Sequence, residues 1–221
     1  MKVCTDACLF GAWVAKKLQG NKIKADDILD IGCGTGLLSL MIAQKSTGQI
    51  DAVEIDKNAF EQANENFDLS AWCERIHNHH CSVTDFQSLK KFDLIISNPP
   101  FYENQLKSEN YDRNRAMHTT SLSYLELSIA IKKNLTTNGH AAVLLPYFSI
   151  QKFEEVLISQ RLFVVEKLNA AHSPTHKFFR SMLLISNIEN QPTQHSISIK
   201  DTDGGYSTEF KQLLKDYYLD M

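Results

Sequence analysis

The stretch Asp27-Ile28-Leu29-Asp30-Ile31-Gly32-Cys33-Gly34-Thr35-Gly36 decides the fold of this chain. Its first five residues form an apolar run that predicts a short strand, and an apolar helical pattern follows over Leu37–Ala43. Glycines at alternate positions let the backbone turn tightly and lie close against a ligand before the helix begins. A strand, a glycine-rich turn and a helix in this order predict an α/β fold with a ligand at the turn.

The spacing of these glycines distinguishes between ligand classes. A dinucleotide-binding turn needs a further glycine where this chain has Leu37. A phosphate-binding P-loop needs a Gly-Lys-Ser/Thr ending, which this turn lacks. Alternating glycines after an acid fit an S-adenosylmethionine loop better. We therefore expect S-adenosylmethionine as the cofactor, with Asp30, Gly32, Gly34 and Gly36 as its ligands.

Acidic residues after later strands are further candidate cofactor ligands. Glu54 ends a strand-like run, where a carboxylate can accept both ribose hydroxyls of an adenosine. Asp56, just beyond it, is interpreted as the cap of the next helix. Asp85 follows the third predicted strand and either accepts the adenine amine, with Val83 or Phe86 covering the ring, or forms a turn.

The tetrapeptide Asn98-Pro99-Pro100-Phe101 follows another apolar run and indicates the substrate chemistry. The side-chain oxygen of Asn98 and the carbonyl of Pro99 can each accept one hydrogen of a planar amine, while Phe101 stacks on the attached ring. Asn-Pro also begins ordinary turns, so the tetrapeptide alone leaves a structural role open. With the glycine loop, it predicts direct in-line methyl transfer to an amine, without a metal or a covalent intermediate.

These four motifs, in this order, resemble class I S-adenosylmethionine-dependent methyltransferases, and among them the branch whose Asn-Pro-Pro-Phe motif methylates planar nitrogens. Flanking segments are similar to those of the valine tRNA (adenine-37 N6)-methyltransferases: Met1–Asp6, Phe10–Trp13, the Arg113/Arg115 loop, Tyr206–Ser207 and Asp216–Leu219. The resemblance covers nearly the whole chain. It implies N6-methylation of the adenosine beside the anticodon, with Asn98 to Phe101 as catalytic residues and Thr5 and Asn98 among the cofactor ligands.

The resemblance also implies a Rossmann-like class I methyltransferase fold, with a seven-stranded, mostly parallel sheet, an antiparallel last strand and helices on both faces. Alternating strand and helix patterns from Ile28 to Ser159 are typical of such a sheet. We expect one methyltransferase domain over residues 1–221, without the amino-terminal segment that family members carry before the stretch matching Met1–Asp6.

The polar segment after the tetrapeptide is a candidate RNA contact. Lys107, Arg113 and Arg115 are interleaved with tyrosines there, which favours contacts with an RNA loop, although a solvated surface loop has a similar composition. A net charge of −3 argues against a globally basic RNA-binding protein. Local basic clusters would then carry tRNA binding, and the other clusters are Lys132-Lys133 and His176-Lys177 with Arg180.

Composition bears on the remaining classes of protein. A chain of 221 residues with 43% hydrophobic content suits one enzyme domain. No apolar stretch is long enough to cross a bilayer and no signal-peptide core follows Met1, so we expect a cytoplasmic protein. No obligate protein partner is indicated. No metal site is expected at His77-Asn78-His79-His80-Cys81, because alternate strand residues point to opposite faces.

Similar amine-binding tetrapeptides act on other substrates, so three alternatives stay open. A protein-glutamine N5 methyltransferase presents a side-chain amide, and an rRNA guanine-N2 methyltransferase presents a ring amine. Phe101 in the fourth position favours a nucleobase over an amide. An inactive cofactor-binding scaffold is the third alternative, and the intact tetrapeptide argues against it.

Overall fold

The computed structural model describes residues 4–20, 22–100 and 122–218. Within these ranges the helices are α1 (Thr5–Gln19), α2 (Leu37–Ala43), α3 (Lys57–Asp68), α4 (Tyr124–Asn134), α5 (Ile150–Ser159) and α6 (Thr208–Leu214). The strands are β1 (Asp27–Ile31), β2 (Gln49–Glu54), β3 (Ile76–His80), β4 (Phe92–Ser97), β5 (Leu135–Pro146), β6 (Phe163–Ala171), β7 (Phe178–Ser186) and β8 (Thr193–Ser198). Two short 3-10 turns lie at Cys73–Arg75 and Tyr147–Ser149.

All of these strands join one sheet in the order β3-β2-β1-β4-β5-β7-β6-β8. The first five strands of that order are parallel, and β7 runs antiparallel to both β5 and β6. The predicted Rossmann-like α/β fold is therefore confirmed, with one difference: the described residues form eight strands rather than seven. The extra strand, β8, pairs with β6 at the sheet edge, and only Ile197 of its six residues is buried, so its sequence has no apolar pattern.

The central strands β1 and β4 read as near-continuous apolar runs because both faces of the sheet are covered there. Ile28 and Leu94 belong to the core on one face, and Leu29 and Ile95 belong to the core on the other. Helices α1, α2, α3 and α6 contribute to the first core, while α4 and α5 contribute to the second. Helices thus lie on both faces, as predicted.

Side-chain caps fix where several helices begin. The Asp56 carboxylate accepts a hydrogen bond from the backbone N–H of Ala59 at 2.8 Å, which confirms the predicted capping role at the start of α3. Ser123 and Glu126 form a reciprocal capping box at the start of α4. These caps position the helices that follow strand ends, where the candidate site lies. No helix in the described part of the chain is long and apolar enough to span a membrane.

Candidate active site

A cavity of about 320 Å³ opens at the carboxyl ends of the central parallel strands. Strand β1 lies between β2 and β4, so the chain's crossovers leave in opposite directions at this point, where α/β sheets bind their ligands. Four successive strand ends contribute to the cavity wall, together with α1, α2 and Leu122. The wall residues at these strand ends are Ile31 to Gly34, Val53 to Ile55, Cys81 to Val83 and Ser97 to Pro100.

The glycine loop after β1 adopts a backbone conformation that favours glycine. Gly32, Gly34 and Gly36 have φ values of +71°, +58° and +87°, which side chains rarely tolerate. A Cβ added to Gly32 would meet nothing within 4 Å, and Gly32 lines the cavity, so its bare backbone faces open space. A Cβ added to Gly36 would lie 2.4 Å from the ring of Phe67.

Gly36 therefore has a packing role in this structure, because its missing side chain lets α3 lie close to the loop. It is absent from the cavity wall, so its predicted contact with the cofactor is not supported by the geometry. Hydrogen bonds hold the rest of the loop. Gly32 N–H donates to the carbonyl of Val53 at 2.8 Å, and the Asn66 amide donates to the carbonyl of Thr35 at 2.8 Å.

Glu54 lies at the end of β2 with its carboxylate at the cavity and only 8% of its surface exposed. Its Oε2 accepts a hydrogen bond from Gly34 N–H at 2.8 Å, and its Oε1 accepts one from Asp56 N–H at 2.8 Å. These two bonds fix the orientation of the carboxylate. Each oxygen still has a lone pair for a hydroxyl donor, so Glu54 can accept from a ribose as predicted.

Asp30 lies beneath the loop rather than in the cavity wall. It is fully buried, and its Oδ2 accepts a hydrogen bond from Ser39 Oγ at 2.7 Å, while its Oδ1 has no hydrogen-bond partner among the residues described. Burial raises the pKa of this carboxyl to about 7, and the nearby charge of Glu54 adds to the rise. The predicted direct contact of Asp30 with the cofactor is not supported, because the side chain bonds to α2 instead.

The described part of the tetrapeptide lies on the wall opposite β2. Asn98, Pro99 and Pro100 all line the cavity, and Asn98 Oδ1 is buried and has no hydrogen-bond partner among the described residues. The preceding residue, Ser97, is fully buried and donates its hydroxyl to the carbonyl of Ile31 at 2.9 Å, which ties β4 to β1. A buried acceptor left unsatisfied costs about 1–3 kcal/mol, so Asn98 Oδ1 is set up for a donor that enters the cavity.

Other predicted residues fall away from the cavity or outside the described residues. Asp85 is exposed in the turn after β3, where its backbone N–H donates to the carbonyl of Ser82 at 3.0 Å, so the turn interpretation fits its position. Thr5 is exposed at the start of α1, and Ala7, two residues on, lines the cavity instead. Phe101, Lys107, Arg113 and Arg115 lie outside the described residues.

The two residues predicted to cover an adenine ring differ in their positions relative to the cavity. Val83 lines the cavity, whereas Phe86 is buried between His79 and Phe92, at ring-centroid distances of 5.2 Å and 6.3 Å. Ile55, which the sequence analysis did not single out, also lines the cavity and is 44% exposed. In sequence Ile55 is one more apolar residue of a strand, so its place in the wall had no distinguishing pattern.

Cys33 lies in the glycine loop but does not have the properties of a nucleophile. Burial raises the pKa of its thiol above the ordinary value, and the charges of Asp30 and Glu54 raise it further. The thiol therefore stays protonated at neutral pH and serves as a small wall residue. Among the described residues, no group of three or more His, Cys, Asp or Glu side chains is arranged to hold a metal ion.

Three features of the cavity fit S-adenosylmethionine. The bare backbone of Gly32 lets a ligand approach closely, the oriented carboxylate of Glu54 suits a ribose diol, and Val83 provides an apolar wall for a flat ring. The side-chain oxygen of Asn98, which has no partner in the part of the chain that the structure describes, suits the amine of a second molecule.

Comparisons with known proteins agree with this geometry. The methyltransferase small domain family matches residues 12–138 of the chain. A tRNA1(Val) (adenine(37)-N6)-methyltransferase from Dyadobacter fermentans is 40% identical over 224 residues, which cover 99% of this chain and 91% of that protein. A protein of the same name from Pseudoalteromonas translucida is 38% identical over 222 residues, which cover 100% of this chain and 93% of that protein.

Solved structures share the fold at low sequence identity. A predicted O-methyltransferase from Agrobacterium tumefaciens superimposes with a TM-score of 0.71 and 15% identity, and the match covers 95% of each chain. A putative RNA methyltransferase from Pyrococcus horikoshii gives a TM-score of 0.59 and 19% identity, and the match covers 83% of this chain and 85% of that one. At these identities the likeness concerns the fold alone.

Proposed function

The chain belongs to the methyltransferase small domain family, together with the tRNA1(Val) (adenine(37)-N6)-methyltransferases, and on this premise we propose that it methylates N6 of an adenine in tRNA. The substrate position that we propose is adenine 37 of a valine tRNA, the position in the names of these relatives. A tRNA substrate implies a cytoplasmic location. The observation that carries the proposal is the buried Oδ1 of Asn98 in the cavity wall, for which the described part of the chain provides no hydrogen-bond partner.

The residues that would hold the cofactor lie on the β1 and β2 side of the cavity. When bound, S-adenosylmethionine supplies an electrophilic methyl group on a positively charged sulfur. Glu54 would accept the ribose hydroxyls, and the open backbone at Gly32 would allow close approach of the rest of the molecule. Val83 and Ile55 would cover the adenine ring with apolar surface.

The residues that would hold the substrate lie on the β4 side. Asn98 Oδ1 and the carbonyl of Pro99 would each accept one hydrogen of the adenine amine. These two bonds favour a pyramidal nitrogen whose lone pair points into the cavity, and they strengthen as positive charge develops on that nitrogen. Ser97 keeps Asn98 in place through its bond to Ile31, so the acceptor is positioned before the substrate arrives. Phe101, which lies outside the described residues, is predicted to stack on the base.

A methyl-transfer assay with a panel of substrates tests the proposal. The protein would be incubated with methyl-labelled S-adenosylmethionine and, in parallel, with unmodified bulk tRNA, ribosomal RNA and a release-factor protein. We expect label in tRNA alone. Label in ribosomal RNA or in protein would instead support the guanine-N2 or the glutamine alternative.

An inactive scaffold is separated from an enzyme by a binding measurement in the same experiment. Calorimetric binding of S-adenosylmethionine without transfer of label to any substrate would support the scaffold and contradict the proposal. Weaker binding of S-adenosylmethionine and slower transfer at limiting cofactor in a Glu54→Gln variant, compared with the wild type, would agree with the assigned cofactor site.

A further inference from the structure

An exposed group of aromatic rings lies next to the candidate active site. We call it the aromatic shelf, and it consists of Tyr147, Phe148 and Phe178. Their exposed fractions are 41%, 72% and 37%, which is high for rings of this size. The rings of Tyr147 and Phe178 contact each other, with centroids 5.3 Å apart. Exposed apolar rings in contact with each other indicate an interaction site more strongly than a single exposed ring does.

The sheet places the aromatic shelf at the same end of the parallel strands as Asn98. Ser97 of β4 pairs with Val143 of the neighbouring strand β5, and β5 continues to Pro146 before the turn that carries Tyr147 and Phe148. At about 3.3 Å per residue along a strand and about 4.8 Å between strands, the aromatic shelf lies on the order of 10–15 Å from Asn98. The next nucleotides of a bound RNA would therefore reach it.

The loop between β6 and β7 extends this surface with rings and positive charge. His172 stacks on Phe179 with ring centroids 4.1 Å apart and planes inclined by 9°. Ser173 Oγ contacts Nδ1 of His176 at 2.7 Å, which gives the loop a defined shape. Lys177 is exposed and directly precedes Phe178 in the chain, whereas the neighbouring Arg180 is paired with Asp6 at 2.8 Å.

Aromatic faces beside an exposed cation such as Lys177 match unpaired nucleotides. Single-stranded bases stack on aromatic side chains, and every base presents a flat face regardless of its identity. A further argument comes from the reaction. Methylation of a loop adenine requires that it turn out of its stack, which removes a stacking partner from its neighbours. A nearby aromatic surface would replace that lost stacking.

We propose that the aromatic shelf binds the unpaired nucleotides beside the target adenine, stacking Phe148 and Phe178 on their bases while Lys177 contacts their phosphates. This inference rests on the proposed function, because it assumes an RNA loop as substrate. It adds a set of residues outside the cavity that selects a flexible loop rather than a paired helix.

The test measures the affinity of variants for an unmodified tRNA anticodon stem-loop. Phe148→Ala and Phe178→Ala each remove one ring, Phe148→Trp keeps a ring, and Lys177→Ala removes one charge. Leu89→Ala is the matched control, because Leu89 is a fully exposed apolar residue in the loop before β4, at the end of that strand opposite to Asn98. Binding of S-adenosylmethionine and thermal unfolding are measured for each variant to check that the fold is intact.

We expect Phe148→Ala and Phe178→Ala to bind the stem-loop roughly five- to hundredfold more weakly, with Phe148→Trp and Leu89→Ala close to wild type. Lys177→Ala should reduce the slope of log affinity against log salt by roughly 0.7, whereas Phe148→Ala should leave that slope unchanged. A 2-aminopurine placed at successive loop positions should be quenched on binding to the wild type, and one position should lose this quenching in Phe148→Ala.

The outcomes separate this inference from the proposed function. If the wild type methylates tRNA but Phe148→Ala and Phe178→Ala bind as tightly as Leu89→Ala, the inference is overturned and the proposed function stands. If the wild type neither binds nor methylates tRNA, the proposed function fails. If the wild type forms a dimer that Phe148→Ala dissociates, the aromatic shelf is a contact between two copies of the chain, which also overturns the inference.

Discussion

Replacement of Asn98 by Ala should separate activity from stability. Its Oδ1 is buried and has no hydrogen-bond partner within residues 4–20, 22–100 and 122–218, and such an unsatisfied acceptor costs about 1–3 kcal/mol. Asn98→Ala removes that acceptor, and we therefore expect the free energy of unfolding to stay constant or to rise. The same change removes one of the two acceptors for the substrate amine. Loss of one such group typically lowers kcat by about 10²–10³, or about 2.7–4 kcal/mol.

Asn169→Ala is the matched control. Asn169 is equally an amide inside the protein, but its Oδ1 accepts a hydrogen bond from Ser181 Oγ at 2.6 Å. Its loss leaves a buried hydroxyl unsatisfied and should lower the free energy of unfolding by about 1–3 kcal/mol. For a chain of this size that corresponds to a Tm about 2–12 °C lower.

The assay combines thermal unfolding, kcat on unmodified tRNA and the Kd for S-adenosylmethionine. For Asn98→Ala we predict an unchanged or higher Tm, a Kd near that of the wild type and a greatly reduced kcat. The reasoning is refuted if Asn98→Ala loses as much stability as Asn169→Ala, or if its kcat and its cofactor affinity fall by equal factors.

Three further predictions concern the glycine loop and the two carboxylates beside it. Gly36→Ala should cost about 1–2 kcal/mol in backbone strain and about 1–3 kcal/mol in overlap with Phe67, measured by denaturant unfolding. Gly32→Ala should cost only the backbone strain, and calorimetry should find weaker binding of S-adenosylmethionine. Folding raises the pKa of Asp30 from 3.8 to about 7. The contribution of Asp30 to the free energy of unfolding is therefore greatest below about pH 4, and it falls by on the order of 4 kcal/mol as the pH rises to about 7. Asp30→Asn should abolish this fall, and parallel urea titrations at pH 5 and pH 8 with an unchanged pH dependence would contradict the assignment. Glu54→Gln keeps the shape but loses the charge, and calorimetry should find S-adenosylmethionine bound roughly tenfold more weakly.

The fold was predictable because its pattern is local. Alternating apolar runs and the glycine turn predicted the parallel strands, and the cap at Asp56 followed from its place between a strand and a helix. β8 was missed because its residues are mostly exposed polar side chains, which give no apolar pattern, and its pairing with β6 rests on backbone hydrogen bonds.

The residues that line the cavity were predictable from the sequence only where they directly follow or end a strand and carry a suitable chemical group. Gly32, Glu54 and Asn98 line it, and their contacts with cofactor and substrate stay predictions. Asp30 and Gly36 fit the same sequence pattern, yet their roles depend on contacts with Ser39 of α2 and Phe67 of α3.

The aromatic shelf shows the same limit on a larger scale. The sequence drew attention to His176-Lys177 and Arg180 as a basic cluster, but Tyr147 lies about thirty residues earlier and reaches Phe178 only through the pairing of β5 with β7. Long-range strand pairing of this kind is a property of topology, and local composition does not reveal it.

The central claim is methylation of adenine N6 in tRNA, and the most direct test is the nucleoside composition of a valine tRNA transcript after reaction with the protein and S-adenosylmethionine. Digestion to nucleosides and mass spectrometry should reveal close to one N6-methyladenosine per tRNA, and a nuclease digest should locate it in the fragment that contains adenine 37. A methylated guanosine, a methyl group elsewhere in the tRNA, or an unmodified transcript in the presence of bound cofactor would contradict the account.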